Sequence, residues 1–376
     1  MMKIITNKYL ASAACSVLFL CVWLALDAHA QTVAAQAHIA AAQAAMAPKV
    51  KNPYRPFETY KALFDQMCAP PKQLPDVIRV EDRSAPRPRK DWYQPPAQIF
   101  DNFYFIGTKG TGVYAVNSPE GIAVIDTNFE YDAQELVLGL LNLGVDPDNL
   151  RYIIVTHAHD DRYWGAKSLQ DAYPKAKVVM SAADWEVVAK DNSPAKFKPR
   201  KDMVATDGQK LKLGGATITM YVTPGHTPGT LSLIIDGLTN QKSVHSDNEK
   251  HIASIWGGTD INIGKQGVQY YPDGQTMMKT YIASVKRFKE LSEKAGVDTI
   301  ISTTLPHVNT LDKIKYWRIM NPDRSDGGAS GPGSVLDLAN KMEKEPHPFV
   351  NKDAVSRYYT VLQECYEAHL AWRSGT

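Results

Sequence analysis

The chain has 376 residues, with 42 Lys plus Arg against 40 Asp plus Glu and a formal net charge of +2. Its 44% hydrophobic and 22% charged residues exclude a wholly disordered chain, and the length suits one large domain or two modest ones. The near-neutral balance provides no overall field for nucleic acid or an anionic membrane, so neither is expected as a partner.

Residues 1–30 read as a secretory signal peptide. Lys3 and Lys8 precede 16 uncharged residues from Ala11 to Leu26, and Ala28-His29-Ala30 is a small-x-small cleavage signal before Gln31. The uncharged run is shorter than the roughly 20 residues of a spanning helix, which disfavours a membrane anchor. A periplasmic or secreted protein is expected, with no membrane association once the signal is removed. Two cysteines remain beyond it, Cys68 and Cys365. In an oxidising compartment they either pair, tying an N-terminal extension to a C-terminal helix, or stay separate as buried thiols.

Residues 31–52 are Ala-rich and read as a linker or frayed helix. Residues 53–96 are Pro-rich and suggest an irregular extension over the domain surface. A catalytic domain is expected over 97–320 and a helical extension over 321–376. Strand-like runs are Phe103 to Gly107, Gly112 to Val116 and Gly121 to Asp126, followed by helical spacing from Asp132 to Leu143 that Gly144 ends. Tyr152 to Thr156 is an apolar strand. Gly165 to Tyr173 reads as helix, Lys177 to Ser181 as strand and Ala182 to Lys190 as helix. Lys210 to Val222 gives two strands about Gly214-Gly215, and Leu231 to Asp236 another. Met277 to Ala295 is an amphipathic helix before a strand at Thr299 to Ser302, with helices at Val335 to Lys344 and Asp353 to Trp372. This order suits sheets covered by helices.

The chemistry is concentrated in Thr156 to Gly165, THAHDDRYWG. His157, His159 and Asp161 alternate on a loop after an apolar strand, so their side chains can converge on one ion. Neutral imidazoles and a carboxylate suit zinc. His226, in TPGHTPGT, and His307, after another apolar strand, can complete the site. His347 stands in a turn with no ligand partner nearby and reads as a packing or surface residue. Tyr163, Trp164, Trp256, Tyr270 and Tyr271 are candidates for an aromatic pocket, although at least half of them are expected in the core. Lys109 lies in a Gly-rich loop that could lean over the site.

These motifs resemble the metallo-β-lactamase superfamily. Asp126 in AVIDT, His157, His159 and Asp161 in HAHDDR, His226 in PGHTPG and His307 after its strand appear in the family's order over roughly residues 97–315. The resemblance implies an α/β fold, an αββα sandwich of two mixed sheets flanked by helices, with the metal site at the sheet edge. The stretch from Trp92 to Gly107, the WGGT at Trp256 to Thr259 and the PHPFV tail look most like secreted B3-type members. Carried over residue by residue, His157, His159 and His226 would hold a first Zn2+, Asp161 and His307 would contribute to a second, and Asp126 would orient a ligand or the loop.

Two departures from the family pattern follow. Arg162 stands where the common HxHxDH motif ends in His, and Arg is a poor ligand because it stays protonated. It would instead neutralise Asp161, stabilise an oxyanion or hold a substrate carboxylate. The B1 lactamases are similar in having Arg there but add a Cys ligand, and this chain has no Cys between residues 69 and 364. No bridging residue stands out between His226 and His307, where His245, Asp247, His251 and Asn262 are the available substitutes. One or two zinc ions per chain are therefore expected. The implied function is hydrolysis of an amide or ester carbonyl of a small molecule, with Asp161 and Arg162 as catalytic candidates and a β-lactam as the leading substrate. The alternatives are a lactonase, arylesterase or hydrolytic dehalogenase acting on an aromatic compound, and a non-catalytic metal-binding relative.

Overall fold

The computed structural model describes residues 32–49, 51–52, 55–71, 87–241, 249–261, 270–321 and 345–374. The signal-like segment 1–30, the helix expected at Val335 to Lys344, and His245, Asp247 and Asn262 lie outside the described residues.

Two mixed sheets pack face to face. The first has the order β1-β2-β3-β4-β5-β6-β7, from Ala97–Phe100, Phe103–Phe105, Tyr114–Ser118, Gly121–Ile125, Leu150–Ile154, Lys177–Ser181 and Met203–Ala205. β1 to β4 form an antiparallel meander, and β4 to β7 run parallel. The second has the order β12-β11-β10-β9-β8, where β8 is Gln209–Leu213, β9 Ala216–Val222, β10 Leu231–Thr239, β11 Lys250–Ile255 and β12 Thr299–Ile301. Only its β11/β12 pair is parallel.

Side-chain alternation explains the layering. In β4, Ala123 and Ile125 enter the core between the sheets, where Ile218, Leu233 and Ile255 also lie. Ile122 and Val124 point the other way, into a second core with Leu136, Leu140, Leu169 and Trp185. Those four residues belong to α4 (Ala133–Asn142), α6 (Ala166–Ala172) and α7 (Ala182–Lys190). A strand buried on both faces reads as a continuous apolar run, as GIAVI does. The second sheet is covered by α8 (Gly274–Ala295) and α10 (Lys352–Arg373). They pack Met278, Tyr281, Tyr358 and Leu362 against Ile234 and Ile300. The order is helix, sheet, sheet, helix, as the motifs implied.

The extensions join this second outer layer. Residues 32–45 form α1, α2 (Lys61–Met67) buries Leu63 and Met67 in the same core, and the short α3 (Arg89–Trp92) precedes β1. Cys68 and Cys365 are bonded as a disulfide, which ties α2 to α10. Sequence periodicity missed α2, within the extension expected to be irregular, as well as β1, β7, β11 and α9 (Thr310–Met320). β7 has only three residues, and α9 buries Lys313 and Tyr316 beside Ile314, so its buried face is not purely apolar. His347 is a packing residue: its ring stacks on Phe100 at 4.4 Å, and Nε2 lies 2.9 Å from the Ile99 carbonyl. No helix among the described residues is long and apolar enough to cross a membrane.

Candidate metal centre

The centre sits at the end of the inner strands. β5 delivers the chain to Val155 and Thr156, after which the loop carries His157 and His159 into the short helix α5 (Asp160–Tyr163). Asp126, just past β4 with φ of 60°, fixes the start of that loop. Its Oδ1 accepts from the Thr156 amide at 2.7 Å and the Thr156 hydroxyl at 2.9 Å. Burial pushes the Asp126 carboxyl up to about 7, against the pull of Arg162 and the Thr156 hydrogen bonds. Asp126 thus ties down the start of the loop through Thr156.

His226 arrives from the second sheet, on the loop between β9 and β10. One buried carboxylate locks both loops together. Asp184, in the first turn of α7, accepts from the Ala158 amide at 2.9 Å, the Thr227 hydroxyl at 2.7 Å and the Gly229 amide at 2.8 Å. Sequence reasoning had no signal for this anchor. Gly258 provides the space that His226 needs: a Cβ on it would lie 2.4 Å from that of His226.

The three imidazoles converge. Potential ligand atoms of His157, His159 and His226 all lie within 4.8 Å of one another. His157 Nδ1 donates to the Gly257 carbonyl at 2.7 Å, and His226 Nδ1 to the Asp260 carbonyl at 2.7 Å. A ring donating from Nδ1 keeps a bare lone pair on Nε2 when neutral. The Nε2 atoms of His157 and His226 lie only 3.1 Å apart. Two lone pairs facing each other repel, and a cation between them removes the conflict. Burial, with the neighbouring imidazoles, lowers the pKa of His157 and His226 well below the usual histidine range. The rings therefore stay neutral, as metal ligands must. This donor set fits one zinc ion.

The other sequence candidates, Asp161, Arg162 and His307, are linked through Arg162. The Asp161 carboxylate is 3.3 Å from Arg162 Nη2, and Arg162 Nε is 3.9 Å from Asp126 Oδ2. Arg162 Nη1 reaches the Thr303 carbonyl at 3.5 Å, and the side chain is almost fully buried. His307 is buried in a 3-10 turn after β12, outside the three-histidine group. Its Nε2 lies 2.9 Å from Gln66 Oε1. Burial, reinforced by Arg162, lowers its pKa to about 4.

Sequence reasoning missed Asp260. It lies immediately after the WGGT stretch, it interacts electrostatically with His226, Arg162 and Asp161, and burial raises its pKa against the first two of these. Its Oδ1 accepts from Gln66 Nε2 at 2.8 Å. The proposed substitute His251 is instead engaged with Asp298 at 2.8 Å. Among the aromatic candidates, Tyr163, Trp164 and Trp256 are core residues. Tyr271 is half-buried, with its hydroxyl 3.4 Å from the Thr227 carbonyl beside His226. The Lys109 amine donates to the Lys90 carbonyl.

Residues 107–239 match the family model of the Metallo-beta-lactamase superfamily. A hydroxyacylglutathione hydrolase of Acidiphilium cryptum is 34% identical over 85 residues, 23% of this chain and 30% of the relative. A probable polyketide biosynthesis zinc-dependent hydrolase of Bacillus velezensis is 28% identical over 138 residues, 37% of this chain and 52% of the relative. The chain thus spans about half or less of the length of these two relatives. Among solved structures, the FEZ-1 metallo-beta-lactamase of Legionella gormanii superposes with a TM-score of 0.55 at 21% identity, covering 73% of this chain and 94% of its own. BJP-1 of Bradyrhizobium japonicum, a subclass B3 metallo-beta-lactamase, gives 0.54 at 20% identity, covering 72% and 92%. At that identity the likeness establishes the fold.

Proposed function

We propose that this chain, a member of the metallo-β-lactamase superfamily, is a zinc-dependent hydrolase of amide or ester carbonyls. The observation that carries the reading is the pair of Nε2 lone pairs 3.1 Å apart, each held in place by an Nδ1 hydrogen bond to a backbone carbonyl. His157, His159 and His226 would hold the ion. Zinc in such a set supplies a Lewis acid and a water that ionises near neutral pH.

The chain's own residues do the rest. The Gly257 and Asp260 carbonyls keep His157 and His226 in the ligating tautomer. Asp161, half-buried and facing the Arg162 guanidinium at 3.3 Å, accepts the proton of the attacking water on a carboxylate oxygen and passes it to the leaving group. Arg162 is 7% exposed and faces Asp126 and Asp161, so its geometry favours holding Asp161 over contacting substrate. It is better described as a positioning residue than as an oxyanion donor.

A β-lactam is the leading substrate, and a B3-like subclass is supported by the fold shared with BJP-1. A lactone, an aryl ester or a halogenated aromatic is the alternative. The disulfide supports a periplasmic or secreted location, because such bonds persist in oxidising compartments. The test is hydrolysis of a chromogenic β-lactam, an aryl ester and a lactone, each with and without chelator. Chelator-sensitive turnover of any of them supports the hydrolase, and the substrate turned over selects the class. Zinc binding without turnover of any carbonyl substrate would count against it.

A further inference from the structure

Resting on the metal centre proposed above, the donors beside it carry a second conclusion. Asp161, Asp260 and His307 are donors gathered around Arg162, and each is already engaged by the protein. Gln66 spans two of them. Its Nε2 donates to Asp260 Oδ1 at 2.8 Å, and its Oε1 lies 2.9 Å from His307 Nε2. The carboxylate can only accept, so the amide nitrogen must face Asp260 and the amide oxygen must face His307. An amide oxygen also only accepts, so His307 must carry its proton on Nε2. Its lone pair is then on Nδ1, which is buried without a hydrogen-bond partner among the described residues. The nitrogen of His307 that meets Gln66 is a donor and cannot ligate.

The third donor meets a fixed cation. Asp161 faces the Arg162 guanidinium at 3.3 Å, and Arg162 also interacts electrostatically with Asp126, Asp260 and His307. A guanidinium does not lose its proton in a protein, so it cannot make way for a metal by deprotonation. Gln66 comes from outside the sandwich, on α2, two residues before the disulfide that ties this helix to α10.

We infer that the centre is built for one metal, because Gln66 holds Asp260 Oδ1 and His307 Nε2 and Arg162 holds Asp161, leaving His307 only Nδ1, which points away from Gln66. The experiment is a zinc titration of the oxidised full chain followed by native mass spectrometry, with 15N NMR of the His307 ring. Wild type should bind one zinc per chain, with His307 protonated on Nε2. The exposed substitution Gln66→Glu supplies a carboxylate, and Arg162→His restores a nitrogen ligand. Each should tighten a second zinc about 10–100-fold, the range by which groups contacting ligands tune metal affinity. The double variant should hold two. Gln66→Ala, at a position tolerant of change, should shift His307 from a single tautomer to a mixture. Two tightly bound zinc ions in wild type, or His307 protonated on Nδ1, would overturn the inference and leave the hydrolase standing. A wild type that binds no zinc would overturn the hydrolase reading itself. A folded double variant still limited to one zinc would show that Gln66 and Arg162 are not what excludes the second.

Discussion

Replacing Asp184 with Ala tests how the two histidine loops are held. The carboxylate accepts from the Ala158 amide, the Gly229 amide and the Thr227 hydroxyl, and all three groups are buried. Thr227 keeps a partner after the change, because its hydroxyl lies 2.8 Å from that of Thr230. The two amides are left without one. Each buried amide that loses its acceptor costs about 1–3 kcal/mol, which gives about 2–6 kcal/mol in all. A water entering the space of the lost carboxylate would place the result near the lower end. Part of the cost is offset, because burial holds the Asp184 carboxyl up at about 6 and its charge is itself unfavourable there. The expected net loss is about 2–3 kcal/mol, a fall in Tm of roughly 3–6 °C for a fold of this size. Ala158 lies between His157 and His159, and Gly229 lies three residues past His226. Zinc affinity should therefore fall about 10–100-fold in a competition assay with a chromophoric chelator. Asp184→Asn keeps an acceptor for one amide and should lose less of both. A folded Ala variant with wild-type Tm and zinc affinity would refute the assignment of Asp184 as the clamp between the loops.

Other substitutions probe other parts of the account. Arg162→Met removes the cation facing Asp126 and should destabilise by less than the ~3–5 kcal/mol of a broken buried pair in urea unfolding, because a carboxyl already up at about 7 protonates when the cation goes. Asp132 has its carboxyl pushed up to about 7, mainly by burial. A folded pKa above the unfolded value means that stability is lost as pH rises from about 4 to about 7. Asp132→Asn should flatten that decline, and urea midpoints measured across this window would show it. Replacing both Cys68 and Cys365 with Ser frees a loop of 297 residues and should cost about 2–4 kcal/mol. An unchanged unfolding midpoint would show that the helices α2 and α10 are held by packing alone.

The three convergent histidines were legible because His157 and His159 alternate after an apolar strand and His226 sits between Pro-Gly pairs. Those patterns are local, and the backbone that presents them is coded by the same few residues. Asp260 was not legible, because its place depends on Gly257 and Gly258 bringing two separate loops close together. Gln66 was beyond reach for a stronger reason: it belongs to a Pro-rich extension and meets His307 across 241 positions of chain. The central strands announced themselves as apolar runs because both their faces are covered. β11 (KHIASI) did not, since Lys250 is exposed and His251 is buried by pairing with Asp298. Trp164 and Trp256 show the opposite trap. Their nearness in sequence to the motifs suggested a pocket, yet Trp164 stacks on Phe197 at 4.5 Å and Trp256 packs near Phe288 in the outer core.

The most direct test of the central claim is the zinc content of purified wild type and of His159→Ala, measured with chelator-sensitive turnover of a chromogenic β-lactam and an aryl ester. The account predicts about one zinc per chain in wild type with chelator-sensitive hydrolysis, and loss of both in a folded His159→Ala protein. Full hydrolysis by metal-free protein, or by His159→Ala, would contradict it.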